Sequence, residues 1–275
     1  MLSPLQIAIL ENLVTFKQLT IPQLARLNES KSEQTIRRAL IKLLKRRKPL
    51  INRIEFKKVS HFGKLSYVHS LTRSGVKVLG AQTDRNINER VFTPQNPRLT
   101  DDYFHRVTTI DFHISTYVRS RQENFELVSC DHYFVVEKIL NSFQPINKIS
   151  LGVGNSIIPD LVVMIAKKGR ERLIFFELHN GNAKSRIKDQ IKQHALCLAG
   201  LYSHNKYNIE KARYYYILLV FEEKAVMTAV IKDISTEIWY SEISRFFLCK
   251  TLDKMNDSFL DGWVSLEGIE ARIEI

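Results

Sequence analysis

The sequence predicts an α+β chain of two domains: a basic helical domain that ends in a β-hairpin, then an α/β domain with a mixed sheet flanked by helices. Three observations carry this. Apolar residues recur at helical spacing early in the chain and then give way to two extended runs. Beyond residue 100, amphipathic stretches alternate with short apolar runs, the pattern of helices and buried strands. Charge is divided just as sharply. Residues 1–80 hold 16 of the 41 Lys and Arg but only 4 of the 29 Asp and Glu, so they account for the whole net charge of +12 and residues 81–275 are neutral. A positive field confined to one third of the chain points to a polyanionic partner, above all nucleic acid.

The first domain is placed at residues 1–82. Ser3 before Pro4 is a cap followed by a first-turn proline, and Leu5, Ile9, Leu10, Leu13 and Phe16 follow at helical spacing. A short second helix starts near Ile21-Pro22, and Asn28-Glu29-Ser30 makes a turn. Ser32 caps a third helix with Ile36, Leu40, Leu43 and Leu44 inward. Gln34, Thr35, Arg37, Arg38 and Lys42 lie on its other face. This is the order of a helix-turn-helix, whose last helix enters the major groove of duplex DNA. Leu50–Phe56 and Leu65–Leu71 then read as a hairpin wing with Lys57, Lys58 and Lys64 at its tip, and another helix follows from Leu71–Gly75 to about Leu79. Together these predict a winged helix-turn-helix. Residues 83–100, with Pro94, Asn96 and Pro97, read as a linker.

The second domain is placed at residues 101–275. A helix from Thr100 to about Arg121 carries Phe104, Val107, Ile110, Ile114 and Val118 as its buried stripe. Strands are expected at Glu126–Val136, Ile158–Ile165, Leu173–Leu178 and Arg213–Phe221, with a long helix over Ala183–Leu201 between the last two. Further elements are expected at Ala225–Ile231, Ile243–Thr251 and Val264–Ile275.

Two acidic residues interrupt these apolar strands, Asp160 within Ile157–Ile165 and Glu177 within Leu173–His179. A buried carboxylate is costly unless it is paired, hydrogen-bonded or metal-bound. If the intervening turn centres between Lys168 and Gly169, Asp160 and Glu177 stand directly opposite each other with Cβ atoms roughly 5 Å apart. His179 shares their face. Two close carboxylates can hold Mg2+ or Mn2+ by oxygen and leave positions for water and a phosphate.

At these residues the chain resembles the PD-(D/E)XK nuclease superfamily, through Pro159-Asp160 and then Glu177-x-His179. Within it, the layout is similar to the replication-relaxation group, which includes the MOBC-type plasmid mobilisation relaxases. Glu177-Leu178-His179-Asn180-Gly181, the Leu-Thr-x-x-Gly run at Leu71–Gly75 and His105 also resemble that group. The resemblance implies a restriction-endonuclease-like second domain and a role in processing plasmid or other mobile-element DNA. His179 fills the superfamily's lysine position, so a lysine from Lys184 or Lys188 is expected to assist; with Lys192 they form an i, i+4, i+8 row. Gln190 and His194 resemble the Gln-x-x-x-Tyr helix element of RecB-like nucleases, with His for Tyr.

Other chemistries lack their motifs. There is no phosphate loop, no nucleotidyltransferase Gly-Asp/Asn-Asp pair and no zinc cluster. Asn155 lies in a glycine-bearing turn, and Tyr214, Tyr215 and Tyr216 alternate faces of a strand rather than presenting a nucleophile. No apolar run reaches the roughly 20 residues of a membrane span. Residues 1–10 lack a signal-peptide pattern, and Cys130, Cys197 and Cys249 suggest no disulfide framework, so a cytoplasmic protein is expected. The leading expectation is a sequence-specific, metal-dependent DNA endonuclease or nickase with Asp160, Glu177, His179, Lys184, Lys188 and Gln190 at its centre. The alternative is a non-catalytic replication accessory factor or transcriptional regulator, with a degenerate nuclease-like domain kept for homodimerisation.

Overall fold

The computed structural model describes residues 2–29, 31–56, 65–84, 87, 102–140, 142–207, 215–255 and 260–274. The chain divides into two compact units, Met1–Ile114 and Ser115–Ile275.

In the first unit α1 (Pro4–Phe16) starts at a capping box in which the Ser3 and Gln6 side chains each accept from the other's backbone N–H. Three residues of strand follow, β1 (Gln18–Thr20). Thr20 and Gln23 repeat the box at α2 (Ile21–Leu27). Ser32 caps α3 (Glu33–Leu44), which buries Ile36, Ala39, Leu40 and Leu43. Next come β2 (Ile51–Ile54) and β3 (Val68–Leu71), antiparallel with Asn52 opposite Ser70. β1 adds to the other edge of β3, a strand the sequence did not announce because three residues carry no readable alternation. The tip, with Lys57, Lys58 and Lys64, lies outside the described residues, as does nearly all of the expected linker.

The Leu71–Gly75 run locks the end of the hairpin. The Thr72 hydroxyl accepts from Gly75 N–H at 3.0 Å and donates to Pro49 O at 2.7 Å, while Thr72 N–H reaches Leu50 O at 3.0 Å. It thus caps α4 (Arg73–Thr83) and ties it to the residues before β2. A Cβ at Gly75 would stand 2.1 Å from the Leu50 carbonyl oxygen, so only glycine allows this approach.

α5 (Tyr103–Glu123) contains the boundary between the units. Ile110 and Ile114 of the expected stripe are buried, but Phe104 is exposed, Val107 and Val118 are half-buried, and Tyr103, Arg106 and Phe112 are buried instead. The reason is the partner of its first half. Tyr103 packs with Phe56, Leu65 and Val68, Arg106 bonds Gln18 and Asp102, and Gln23 donates to Val107 O. Contact with the small sheet turns the inward face away from Phe104.

The second unit follows with β4 (Glu126–His132), β5 (Val136–Ile139), β6 (Ser142–Pro145), β7 (Ile149–Ser150), β8 (Ser156–Ile157), β9 (Leu161–Lys167), β10 (Arg170–His179), α6 (Lys184–Ala199), α7 (Tyr202–Tyr207), β11 (Tyr215–Phe221), α8 (Lys224–Ile234), α9 (Tyr240–Ile243), β12 (Phe247–Thr251), β13 (Trp263–Ser265) and β14 (Glu270–Ala271). Seven strands form one mixed sheet in the order β14-β13-β12-β11-β10-β9-β4. β10, β11 and β12 are parallel, and the other neighbours are antiparallel. β5–β6 and β7–β8 form two separate hairpins. On one face of the large sheet Phe175, Leu219, Phe221 and Cys249 pack with Ile187, Ile191, Val226 and Val230 of α6 and α8.

Several expected boundaries shift. The run from Glu126 breaks after His132 at a turn, so Val136 belongs to the next strand. The strand expected from Ile158 starts at Leu161, so Pro159 and Asp160 precede it, and a proline has no N–H for a ladder. The 243–251 run divides into a helical turn and β12, and the last run into two short strands.

Candidate active site and nucleic-acid face

The β9–β10 turn sets the site. Lys168 and Gly169 both have positive φ, 51° and 72°, the mark of a two-residue type I′ hairpin. Lys167 therefore pairs with Arg170, and the register runs on to Leu161 opposite Phe176. The paired register ends there, one residue short of Asp160 and Glu177, and Asp160 lies close enough to Glu177 for their charges to interact. The Asp160 Oδ2 accepts from Leu178 N–H at 2.7 Å, which fixes that carboxylate at the edge of β10. From the β4 side, the buried Asn147 amide donates to the carbonyls of Pro159 and Asp131.

Glu177 has no solvent exposure. Its two oxygens receive Gln190 Nε2 and His194 Nε2, both at 2.5 Å, so one turn of α6 closes over the carboxylate. Burial pushes the Glu177 carboxyl well above the usual carboxylate range, and the Asp160 charge adds to the rise. Burial also lowers the His194 imidazole to about 3, with His179 pushing the same way, so the ring is neutral. Neither α6 side chain on Glu177 brings a positive charge.

His179 is buried one pleat beyond Glu177, with its ring 5.0 Å from that of Phe221. Lys184 is exposed at the first turn of α6. Lys188 lies 3.4 Å from Asp233 of α8, away from the acid pair. The structure thus brings together Asp160, Glu177, His179, Gln190 and His194, and does not bring Lys188. Among the described residues no group of three or more His, Cys, Asp and Glu is arranged to hold a metal ion.

In the first unit Gln34, Arg37, Arg38 and Lys42 are exposed along α3, whereas Thr35 is half-buried with its hydroxyl against that of Ser32. Arg53 of β2 stacks on the Tyr67 ring at 4.7 Å. The Arg37 and Arg53 charges both lie near enough to His69 of β3 to add to the lowering that its burial causes.

The replication-relaxation family model matches residues 10–206. The chain belongs to the replication-relaxation family. No curated protein and no solved structure matches it. The replication-relaxation match spans Asp160, Glu177, His179, Gln190 and His194 and stops at the end of α7, before β11. Among the described residues of this replication-relaxation protein, no helix is long and apolar enough to cross a membrane. Sequence reasoning missed two positioning groups. One is Asn147; the other is Glu222, which accepts from Gly181 N–H at 3.0 Å and secures the turn after β10. Both act from loops on backbone groups, which leaves no periodic trace.

Proposed function

We propose that this protein binds DNA through its first unit and nicks plasmid or other mobile-element DNA with its second. In this reading the first unit is a winged helix-turn-helix, α3 its recognition helix, and the second unit is restriction-endonuclease-like. One observation supports the catalytic part: Asp160 lies beside the fully buried Glu177, whose oxygens meet the neutral Gln190 and His194 side chains. Burial and the Asp160 charge hold the Glu177 carboxyl well above the usual carboxylate range, and a divalent cation beside it would favour the ionised form. Mg2+ and Mn2+ fit the pair, because such ions are held through one or two carboxylates and keep several waters. A bound ion supplies an activated water and charge stabilisation at the phosphate. Asp160 and Glu177 are its ligands, Gln190 and His194 orient Glu177, and His179 lines the same face.

The alternative, a DNA-binding protein with an inert second unit, is favoured by a different observation. Both Glu177 oxygens are already engaged by α6, and Lys188 is turned to Asp233. Purified protein incubated with supercoiled plasmid and Mg2+ or Mn2+ separates the two. Cleavage predicts nicked circles, lost in Asp160→Ala and Glu177→Ala while DNA binding persists, and a metal-induced rise in Tm lost in the same variants. No nicking of plasmids bearing cognate origins and no metal response in the melt would establish the inert reading.

A further inference from the structure

The two flanks of α6 carry different cations to different places. Lys184, Lys188 and Lys192 form one i, i+4, i+8 row, in which Lys188 meets Asp233 of α8. Gln190 and His194 lie on another face, against Glu177. One turn before Gln190 in its i, i+4 row stands Arg186, exposed and without an ion pair or hydrogen bond among the described residues. Because residues two apart on a helix are separated by about 200°, Arg186 lies far round the helix from Lys184 and Lys188. α6 also packs on β8, the short strand that leads into Pro159-Asp160. α6 runs back along β10, so its first turns lie level with the end of that strand, where His179 and the 180–183 turn stand.

We propose that Arg186 is the phosphate-contacting cation of the acid-pair site, taking from α6 the role that the family pattern gives to a lysine. The proposal rests on the reading of that site as a DNA phosphodiester site. A lysine at the usual strand position is absent because His179 stands there, and Lys188 on α6 turns to Asp233 instead. A guanidinium can donate two parallel hydrogen bonds to a phosphate, which a lysine replacement cannot reproduce. Arg186 is exposed, and the side chains bonded to Glu177 are Gln190 and His194.

The test is an arginine footprint of the full chain. The protein is treated with phenylglyoxal with and without a mixed-sequence single-stranded oligonucleotide, and modified peptides are quantified by mass spectrometry. Arg170, exposed at the opposite end of β10, is the internal control. The expected result is protection of Arg186 by DNA and none of Arg170. Equal modification of Arg186 with and without DNA overturns the proposal, whether or not the protein cuts DNA. Protection without nicking by the wild type leaves the phosphate contact standing and removes the nickase reading. Where nicking occurs, Arg186→Ala is expected to lower its rate by about tenfold to a hundredfold, Arg186→Lys to recover part, and Lys192→Ala to change nothing. A nicking rate in Arg186→Ala equal to wild type also overturns it.

Discussion

Two histidines of the first unit are buried as neutral rings, and their chemistry sets how this unit meets acid. Burial lowers His113 to about 3, with Lys17 adding to the effect. Burial is also the main cause for His69, which falls to about 4, with Arg53 and Arg37 pushing further and a backbone hydrogen bond at Leu19 opposing. Both folded values lie below the unfolded value of 6.5. The unfolded chain therefore binds protons that the folded chain refuses, and the stability these rings contribute is present above about 6.5 and lost as pH falls toward 4 and then 3. Thermal melts from neutral pH down to about 4 should show a falling Tm, and His113→Gln should make that fall shallower. An unchanged slope in the variant would show that His113 does not titrate in this window. At this scale the sequence was legible where a charge broke an apolar run, as at Asp160 and Glu177. It was silent on the burial of His113, whose neighbour Phe16, with ring centroids 4.4 Å apart, lies 97 positions away.

At the scale of the element, closeness of backbones decides more than hydropathy does. Gly75→Ala places a methyl carbon against the Leu50 carbonyl and should destabilise the protein by about 1–3 kcal/mol or more, read by chemical denaturation of the full chain. Thr72→Ala removes the α4 cap and the Pro49 tie and should cost about 1 kcal/mol. The β9–β10 turn gives the opposite sign. Lys168 holds a left-handed φ of 51° that Asn or Gly adopts more readily, so Lys168→Asn should raise stability by about 1 kcal/mol. A lower denaturation midpoint for that variant would argue against the type I′ assignment. The helices α1, α3 and α6 were legible because each combines a start signal or a long apolar stripe with sufficient length. The inward face of α5 was not, because periodicity shows that a helix has a buried side but not which neighbour it will meet. β1 was missed for want of length.

For the whole molecule the division of charge is the feature with the widest reach. If the first unit supplies most of the DNA affinity, binding of duplex DNA should weaken steeply with salt, with a log–log slope of about −0.9 for each phosphate neutralised. Charge reversal at Arg37 and Arg38, both exposed on α3, should weaken binding and flatten that slope, as read by fluorescence anisotropy across a salt series. A salt-independent affinity would remove the electrostatic reading. A fragment that ends at residue 82 should bind less well than one that ends at residue 123, because it lacks the Tyr103, Arg106 and Val107 contacts that complete this unit. The composition of the chain made the charge division plain, whereas the boundary inside α5 depends on contacts between distant residues.

The acid pair, its two α6 partners and His179 all fall within residues 160–194, a single unbroken stretch of 35 residues. Sites gathered from strands far apart in sequence can be inherited only with the whole domain. This one is written in a short run of codons, so one recombination event can move most of it onto a relative that has lost it, or erase it and leave the first unit behind. If the proposed cleavage is correct, the family is expected to contain cutting and non-cutting members that share the first unit, and a swap of residues 160–194 between two such members should transfer the activity with it.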